Sequence, residues 1–168
     1  LEMAEQIAFD LFEQKLVSKQ FVLTIGYDRD NIQVQKYSGE VATDRYGRKI
    51  PKHAHGTINL DTPTSSLKEI TTAVSSLYDR IIDKELLIRR LTLSATKVMP
   101  KGGQVYQQLD LFTDYEALKK EQEKERRLQK SILDIKKKYG KNVVLRGLSY
   151  EEGATTRTRN GQIGGHKA

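Results

Sequence analysis

The residue pattern predicts an α+β fold, a two-layer sandwich in which a small antiparallel sheet carries two helices on one face, followed by a charged helical C-terminal extension. Three observations point there. Apolar residues recur every three to four positions over 1–19 and 66–83, which is the helical period. They alternate over 20–27, 55–61 and 86–98, which is the strand period. Beyond residue 100 the apolar content falls and charge takes over. Striped helices and one-faced strands bury their apolar sides against each other, and the far side of the sheet then faces solvent or a ligand.

Each element follows from its residues. Over 1–19, Leu1, Ala4, Ile7, Ala8, Leu11 and Phe12 make a broad apolar stripe. Glu2 and Glu5 stand in its first turn and Lys15 and Lys19 in its last, the polarity that opposes the helix dipole. In 20–27, Phe21, Leu23, Ile25 and Tyr27 point one way and Val22, Thr24 and Gly26 the other. The polar stretch 28–54 is rich in turn formers, Asp28, Asp30, Asn31, Gly39, Gly47 and Pro51, with a short strand expected at most around Ile32–Val34. Over 55–61, Ile58 and Leu60 face inward.

Thr62, Pro63 and Ser65 prepare the second helix, whose stripe is Leu67, Ile70, Val74, Leu77, Tyr78 and Ile81. The third strand, 86–98, is the clearest. A linker follows, over 100–113. Thr113 and Glu116 match a capping box for a helix over 114–140, and Gly140 is placed to end it. The first half of that helix has almost no apolar face and reads as solvated; Leu128, Ile132, Ile135 and Tyr139 form a stripe in its second half. The tail, 141–168, is polar and, from Gly153, glycine-rich, so it is expected to be flexible. The domain proper is therefore 1–99.

Composition narrows the function classes. Hydrophobic residues make up 37% of the 168 and charged residues 30%, too little apolar material for a core along the whole length. Cysteine is absent, so neither a disulfide framework nor a thiolate metal site is available. No apolar run reaches the roughly 18 residues of a membrane span, and the first ten residues lack a signal-peptide pattern. A soluble, cytoplasmic protein is the expectation, with no membrane partner.

The net charge of +7 is unevenly spread. Residues 1–112 hold 15 basic and 14 acidic side chains, residues 113–141 hold 10 and 6, and the remainder adds +2. Basic residues cluster locally at Arg45, Arg48, Lys49 and Lys52, and again at Arg89, Arg90, Lys97 and Lys101. Such clusters suit a polyanion, since each neutralised phosphate releases a condensed counterion. Lysines that merely keep a small domain in solution make the same pattern.

Two segments carry candidate chemistry. In the third strand, Leu87, Arg89, Leu91, Leu93 and Ala95 fall on one face, expected to be core, with Arg89 near its exposed beginning. Ile88, Arg90, Thr92, Ser94 and Thr96 fall on the other. A guanidinium and three hydroxyls along an open face are usual phosphate ligands, which fix register without reading sequence. An ordinary solvent-facing strand looks the same.

The second segment is Gln108–Leu109–Asp110–Leu111–Phe112. Burying its apolar side chains in a partner's pocket would gain roughly 1.5–3 kcal/mol each. This is the make-up of a short docking peptide, with the glutamine amide to orient it. Alternatively, Phe112 packs back as a hydrophobic staple, for which Ala117 is a poor partner.

No catalytic or metal constellation accompanies these segments. His53 and His55 lack nearby carboxylate or thiolate partners, and Asp28, Asp30, Asp44, Glu151 and Glu152 sit in turns or the tail. A stand-alone nuclease or transferase would need carboxylates held together on rigid elements.

The strand Ile88–Arg89–Arg90–Leu91–Thr92–Leu93–Ser94 resembles the last strand of the little-finger domain of Y-family translesion DNA polymerases. GQVYQQLDLF resembles their clamp-binding peptide, of the form Gln-Leu-x-Leu-Phe. DRYGRKIPKHAHGTINLDTPTSS, LYDRIIDK and RNGQIGGHKA are similar to a Gram-positive bacterial branch of ImpB/MucB/SamB-type UV-damage repair proteins.

The resemblance implies a sheet that lies along the DNA major groove and holds duplex backbone without reading bases. Arg89, Arg90, Thr92 and Ser94 would be its strand-face ligands, with Thr57 on the neighbouring strand and Thr96 and Lys97 continuing the set. Gln108, Leu109, Leu111 and Phe112 would dock in the cleft of the sliding clamp, the DNA polymerase III beta subunit.

It also implies that this chain lacks palm, fingers and thumb. It would then hold no catalytic residue and no cofactor of its own, the parent polymerase using Mg2+. A first strand is expected to precede residue 1, leaving an edge that could pair with a second copy. A free-standing regulatory or adaptor protein that binds DNA or the clamp is the alternative.

Overall fold

The computed structural model describes residues 1–34, 37–102, 115–163 and 166–167. Helix α1 spans Glu2–Glu13, β1 Leu16–Tyr27, α2 Asp30–Val34, β2 Val41–Thr43, β3 Lys49–Pro51 and β4 Ala54–Thr64. Then come α3, Leu67–Ile81; β5, Ile88–Pro100; and α4, Tyr115–Tyr139. A 3-10 turn at Gly147–Tyr150, α5 at Thr156–Asn160, and the two-residue strands β6, Gln162–Ile163, and β7, His166–Lys167, complete the chain.

The main sheet is antiparallel, in the order β4-β1-β5, so the two outer strands are edges and β1 is the centre. Helices α1 and α3 cover one face. Phe21, Leu23, Ile25 and Tyr27 of β1 meet Ala4, Ala8 and Leu11 of α1, Ile70, Val74 and Leu77 of α3, and Leu93 of β5 in one core. This is the expected α+β two-layer sandwich. The contact between α3 and β4 is close enough to need a glycine: a Cβ on Gly56 would stand 2.8 Å from Ile81 Cγ2 and 2.9 Å from Leu77 Cδ1. The Ser66 hydroxyl caps α3, accepting from the Glu69 amide at 3.1 Å.

Several boundaries differ from the sequence expectation. The first helix ends at Glu13 rather than near residue 19, because the chain reverses at Lys15, φ +56, and enters β1. Leu16–Lys19 are claimed by pairing with the far end of β5, Leu16 opposite Pro100 and Val17 opposite Met99. Around Ile32 the short strand is replaced by the helical turn α2. Its fully buried Asn31 accepts from the Leu87 amide at 2.7 Å and donates to the Leu87 and Asp28 carbonyls, pinning the entry to β5.

The extension also departs from its reading. Residues 116–124 of α4 are exposed, as expected of its first half, but the helix is not free of the domain; it docks through polar side chains. Glu125 Oε1 accepts from Ser66 Oγ at 2.6 Å and from the Lys68 amide at 2.9 Å, and Lys68 pairs with Glu121 at 2.8 Å. Gln129, only 2% exposed, accepts from the Leu67 amide and donates to the Ser65 and Ala8 carbonyls. A carboxylate and an amide oxygen thus serve the free N–H groups at the start of α3, where the helix dipole favours negative charge.

The stripe Leu128, Ile135 and Tyr139 is exposed instead, with Leu128 at 61%. Beside the docked face, a cleft of about 370 Å3 separates α4 from the end of β4.

The tail described to residue 163 packs along α1 rather than staying free. Arg146 of the tail pairs with Glu5, next to the last turn of α4, where Lys137 pairs with Glu13 at 2.7 Å and Lys136 sits over the Phe9 ring at 4.7 Å. The Glu2 carboxylate accepts from the amides of Thr155 and Thr156. Burial pushes the Glu2 carboxyl up, but hydrogen bonds from Thr156 and Thr155 outweigh it and leave its pKa below the ordinary value. Gly140, at φ +99, ends α4 as expected. Thr113 of the expected capping box lies outside the described residues.

Candidate nucleic-acid interface

The register of the main sheet decides what its uncovered face presents. Cross-strand partners share a face. Opposite the core, three rows cross the sheet: Asn59–Gln20–Thr96, Thr57–Val22–Ser94 and His55–Thr24–Thr92, with Gly26–Arg90 continuing across β1 and β5. From Gln20 to Gly26 this strip runs roughly 20 Å at the usual rise of a strand.

Side chains tie the rows across strands. Thr96 Oγ1 donates to Gln20 Oε1 at 2.8 Å, Gln20 Nε2 donates to Asn59 Oδ1 at 2.8 Å, and Thr24 Oγ1 bonds His55 Nδ1 at 2.9 Å. The hydroxyls of Thr57, Thr92 and Ser94 make no hydrogen bond to another described residue, and Arg90 has no ion pair among them. The face is therefore a polar, partly pre-ordered surface with free donors. Gly26 beside Arg90 adds no side chain to that row.

Structure places the sequence-derived candidates unevenly. Arg90, Thr92, Ser94 and Thr96 share the open face, and Thr57 lies across β1 from Ser94, two strands away. Arg89 does not alternate with them as a simple strand residue. The register shifts between Gly26 and Tyr27, so that Tyr27 opposes Ile88 and Gly26 opposes Arg90, and Arg89 is the extra residue of a bulge.

The bulge reverses the expected faces at the strand's start. Ile88 stands opposite the buried Tyr27 on the core side, whereas Leu87 precedes the strand, 54% exposed. Leu91, expected in the core, is 39% exposed, because β5 is an edge the helices do not fully cover; Leu93, at 9%, is the residue that seals the core there. Arg89 lies 3.7 Å from the Asp28 carboxylate. Lys97 has φ +51 and is exposed without a cross-strand pair. Gln108, Leu109, Leu111 and Phe112 lie outside the described residues.

Reading the sequence missed Gln20, Asn59 and His55 as members of this face. Alternation along each strand hinted at them, but only the register brings them beside Thr96 and Thr24.

It also left the loop before β4 unresolved, where β2 and β3 form a hairpin with Val41 opposite Pro51 and Thr43 opposite Lys49. The Asp44 carboxylate closes its turn, accepting from the amides of Tyr46 at 2.8 Å and Arg48 at 2.9 Å. It also takes the Arg48 guanidinium at 2.7 Å. Those Arg48 contacts hold the Asp44 pKa below its ordinary value. The hairpin leads straight into Ala54, opposite Ile25, so it stands at the Arg90 end of the sheet.

Among the described residues no group of three or more His, Cys, Asp or Glu is placed to hold a metal ion, and no helix is long and apolar enough to cross a membrane.

Residues 1–111 match the family model of the impB/mucB/samB family C-terminal domain. Over its whole length the chain is 26% identical to a Bacillus subtilis (strain 168) protein bearing the name UV-damage repair protein UvrX, covering 34% of that protein. The chain thus spans about a third of the length of the curated relative it matches.

Proposed function

The chain belongs to the impB/mucB/samB family through its C-terminal domain, and from that premise we propose that it is the non-catalytic, DNA-gripping and clamp-docking part of a lesion-bypass polymerase. The observation that carries the DNA half is the open sheet face. Arg90, Thr92, Ser94 and Thr57 offer a guanidinium and free hydroxyls along one helix-free surface. Such groups hold phosphates and sugars and carry no sequence information, which suits an enzyme that must accept damaged templates.

The clamp half rests on the residues Gln108–Phe112. In the chain they fall between the end of β5 and the docked α4. Tethering to a ring on DNA raises the local concentration of the polymerase at the primer end without any new contact there.

Both halves are tested on the full chain. Binding to a primer-template duplex is expected to weaken with salt, and Arg90→Ala/Thr92→Ala to lower the affinity about equally for all sequences. Loss of the Arg90 contact should reduce the salt slope by about 1. Binding to the sliding clamp should vanish in Leu111→Ala/Phe112→Ala. A double variant with unchanged DNA affinity removes the sheet face from the interface, and equal clamp binding by both proteins makes the peptide ordinary packing.

A further inference from the structure

The hairpin of β2 and β3 is not used by the sheet-face reading, yet its tip is built in an unusual way. Tyr46 is 79% exposed, although a tyrosine ring left in water gains nothing for the fold. Its turn is nevertheless closed by several hydrogen bonds. Besides the two Asp44 carboxylate bonds, the Gly47 amide donates to the Asp44 carbonyl at 3.0 Å and the Asp44 amide to the Arg48 carbonyl at 2.9 Å. Gly47 itself sits at φ +76, a conformation that favours glycine.

Arg48, held by Asp44, lies over one face of the Tyr46 ring at 4.9 Å from its centre. The guanidinium therefore backs the ring and leaves the opposite face to solvent. Arg45 and Lys49 flank the Tyr46–Arg48 segment in the chain, exposed and with no ion pair among the described residues. Arg89 at the bulge lies 3.7 Å from Asp28, and the Asp28 charge also acts on Arg48 in the hairpin turn.

We infer that the hairpin tip is a stacking platform for an unpaired nucleobase, with Arg45 and Lys49 taking the phosphates on either side of it. A base inside a duplex has both faces covered by its neighbours, so an open aromatic face needs a base that is not stacked on both sides. A ring backed by a guanidinium, on a turn closed by hydrogen bonds, costs little ordering entropy when a base lands on it. Aromatic platforms accept any base, because every base has a π-face. The ligand is thus DNA with a single-stranded segment next to the duplex held by the sheet. The inference rests on the sheet-face reading for the duplex half, and the hairpin extends the grip past the Arg90 end.

The test compares a blunt duplex with the same duplex carrying a short single-stranded overhang that contains 2-aminopurine, each titrated with the full chain. The wild type should bind the overhang DNA about tenfold more tightly than the blunt one and quench the 2-aminopurine. Tyr46→Ala should abolish both the preference and the quenching while leaving blunt-duplex affinity unchanged, and Tyr46→Phe should keep them. Unchanged overhang binding in Tyr46→Ala, with duplex binding intact, overturns the platform and spares the sheet face. An equal loss on both DNAs makes the tip a duplex contact and overturns it too. If Arg90→Ala/Thr92→Ala alone abolishes the quenching while Tyr46→Ala does not, the base sits on the sheet instead. If neither DNA binds, both readings fall together.

Discussion

Replacing Gln129 by alanine should release α4 from the domain without unfolding the sheet. The amide makes three contacts: it accepts from the Leu67 amide at 3.3 Å and donates to the Ser65 carbonyl at 3.0 Å and the Ala8 carbonyl at 3.4 Å. Two of these are long. A neutral hydrogen bond contributes about 0.5–1.5 kcal/mol net, so three bonds of this quality sum to roughly 2 kcal/mol. The neighbouring cleft lets water reach the abandoned groups, which keeps the cost at the lower end of what an orphaned buried amide would suffer.

A loss of about 2 kcal/mol lowers the docked-to-free ratio of α4 roughly thirtyfold. Hydrogen exchange reads this directly. Amides of Leu67 and Lys68, served by Gln129 and Glu125, should lose protection by about that factor. Amides of β1, at the centre of the sheet, should not change. If protection at Leu67 and Lys68 is unchanged in Gln129→Ala, the polar docking of α4 contributes nothing and the argument fails. If β1 loses protection equally, α4 is part of the cooperative core rather than a detachable arm.

Gly56→Ala should destabilise the domain by about 1–3 kcal/mol, because the new methyl collides with Ile81 and Leu77 and either α3 or β4 must shift. A denaturant midpoint that moves with unchanged slope would show it, and an unmoved midpoint would mean the helix layer yields freely. The tail contact should depend on pH. With its pKa depressed in the fold, Glu2 stabilises the contact above its ordinary value of 4.5, and that stability is lost as pH falls through the lower folded pKa. Thr155 and Thr156 amide resonances followed from about pH 6 to about pH 3 should report release, and Glu2→Gln should remove the dependence. Resonances that titrate identically in Glu2→Gln would assign the effect to another group.

Much of this molecule is legible in its residues alone. The stripe of Ala4, Ala8 and Leu11, the stripe of Ile70, Val74 and Leu77, and the alternation of Phe21, Leu23, Ile25 and Tyr27 each declare a buried face. They do so because burial is repeated at the period of the backbone, and two such layers have few ways to pack. The open-face identity of Arg90, Thr92, Ser94 and Thr96 follows from the same alternation.

What single-chain periodicity could not express was anything set by a neighbour. Leu16–Lys19 read as helix because their strand partners, in β5, are some eighty residues away. Local period also cannot see a bulge, so Ile88 and Leu87 were assigned to the wrong sides: one extra residue at Arg89 shifts every side chain before it.

Helix α4 shows the limit most plainly. Its apolar stripe suggested how it should dock, yet Leu128 and Tyr139 face solvent while Gln129 is buried. Unmet N–H groups at the start of α3 decide that docking, and a helix end needing an acceptor becomes visible only when the two helices are placed side by side. Sequence thus determined the layers and their inner faces, since hydrophobic burial is written locally and repetitively. Tertiary structure alone decided register, bulge and polar docking, because each depends on a partner distant along the chain.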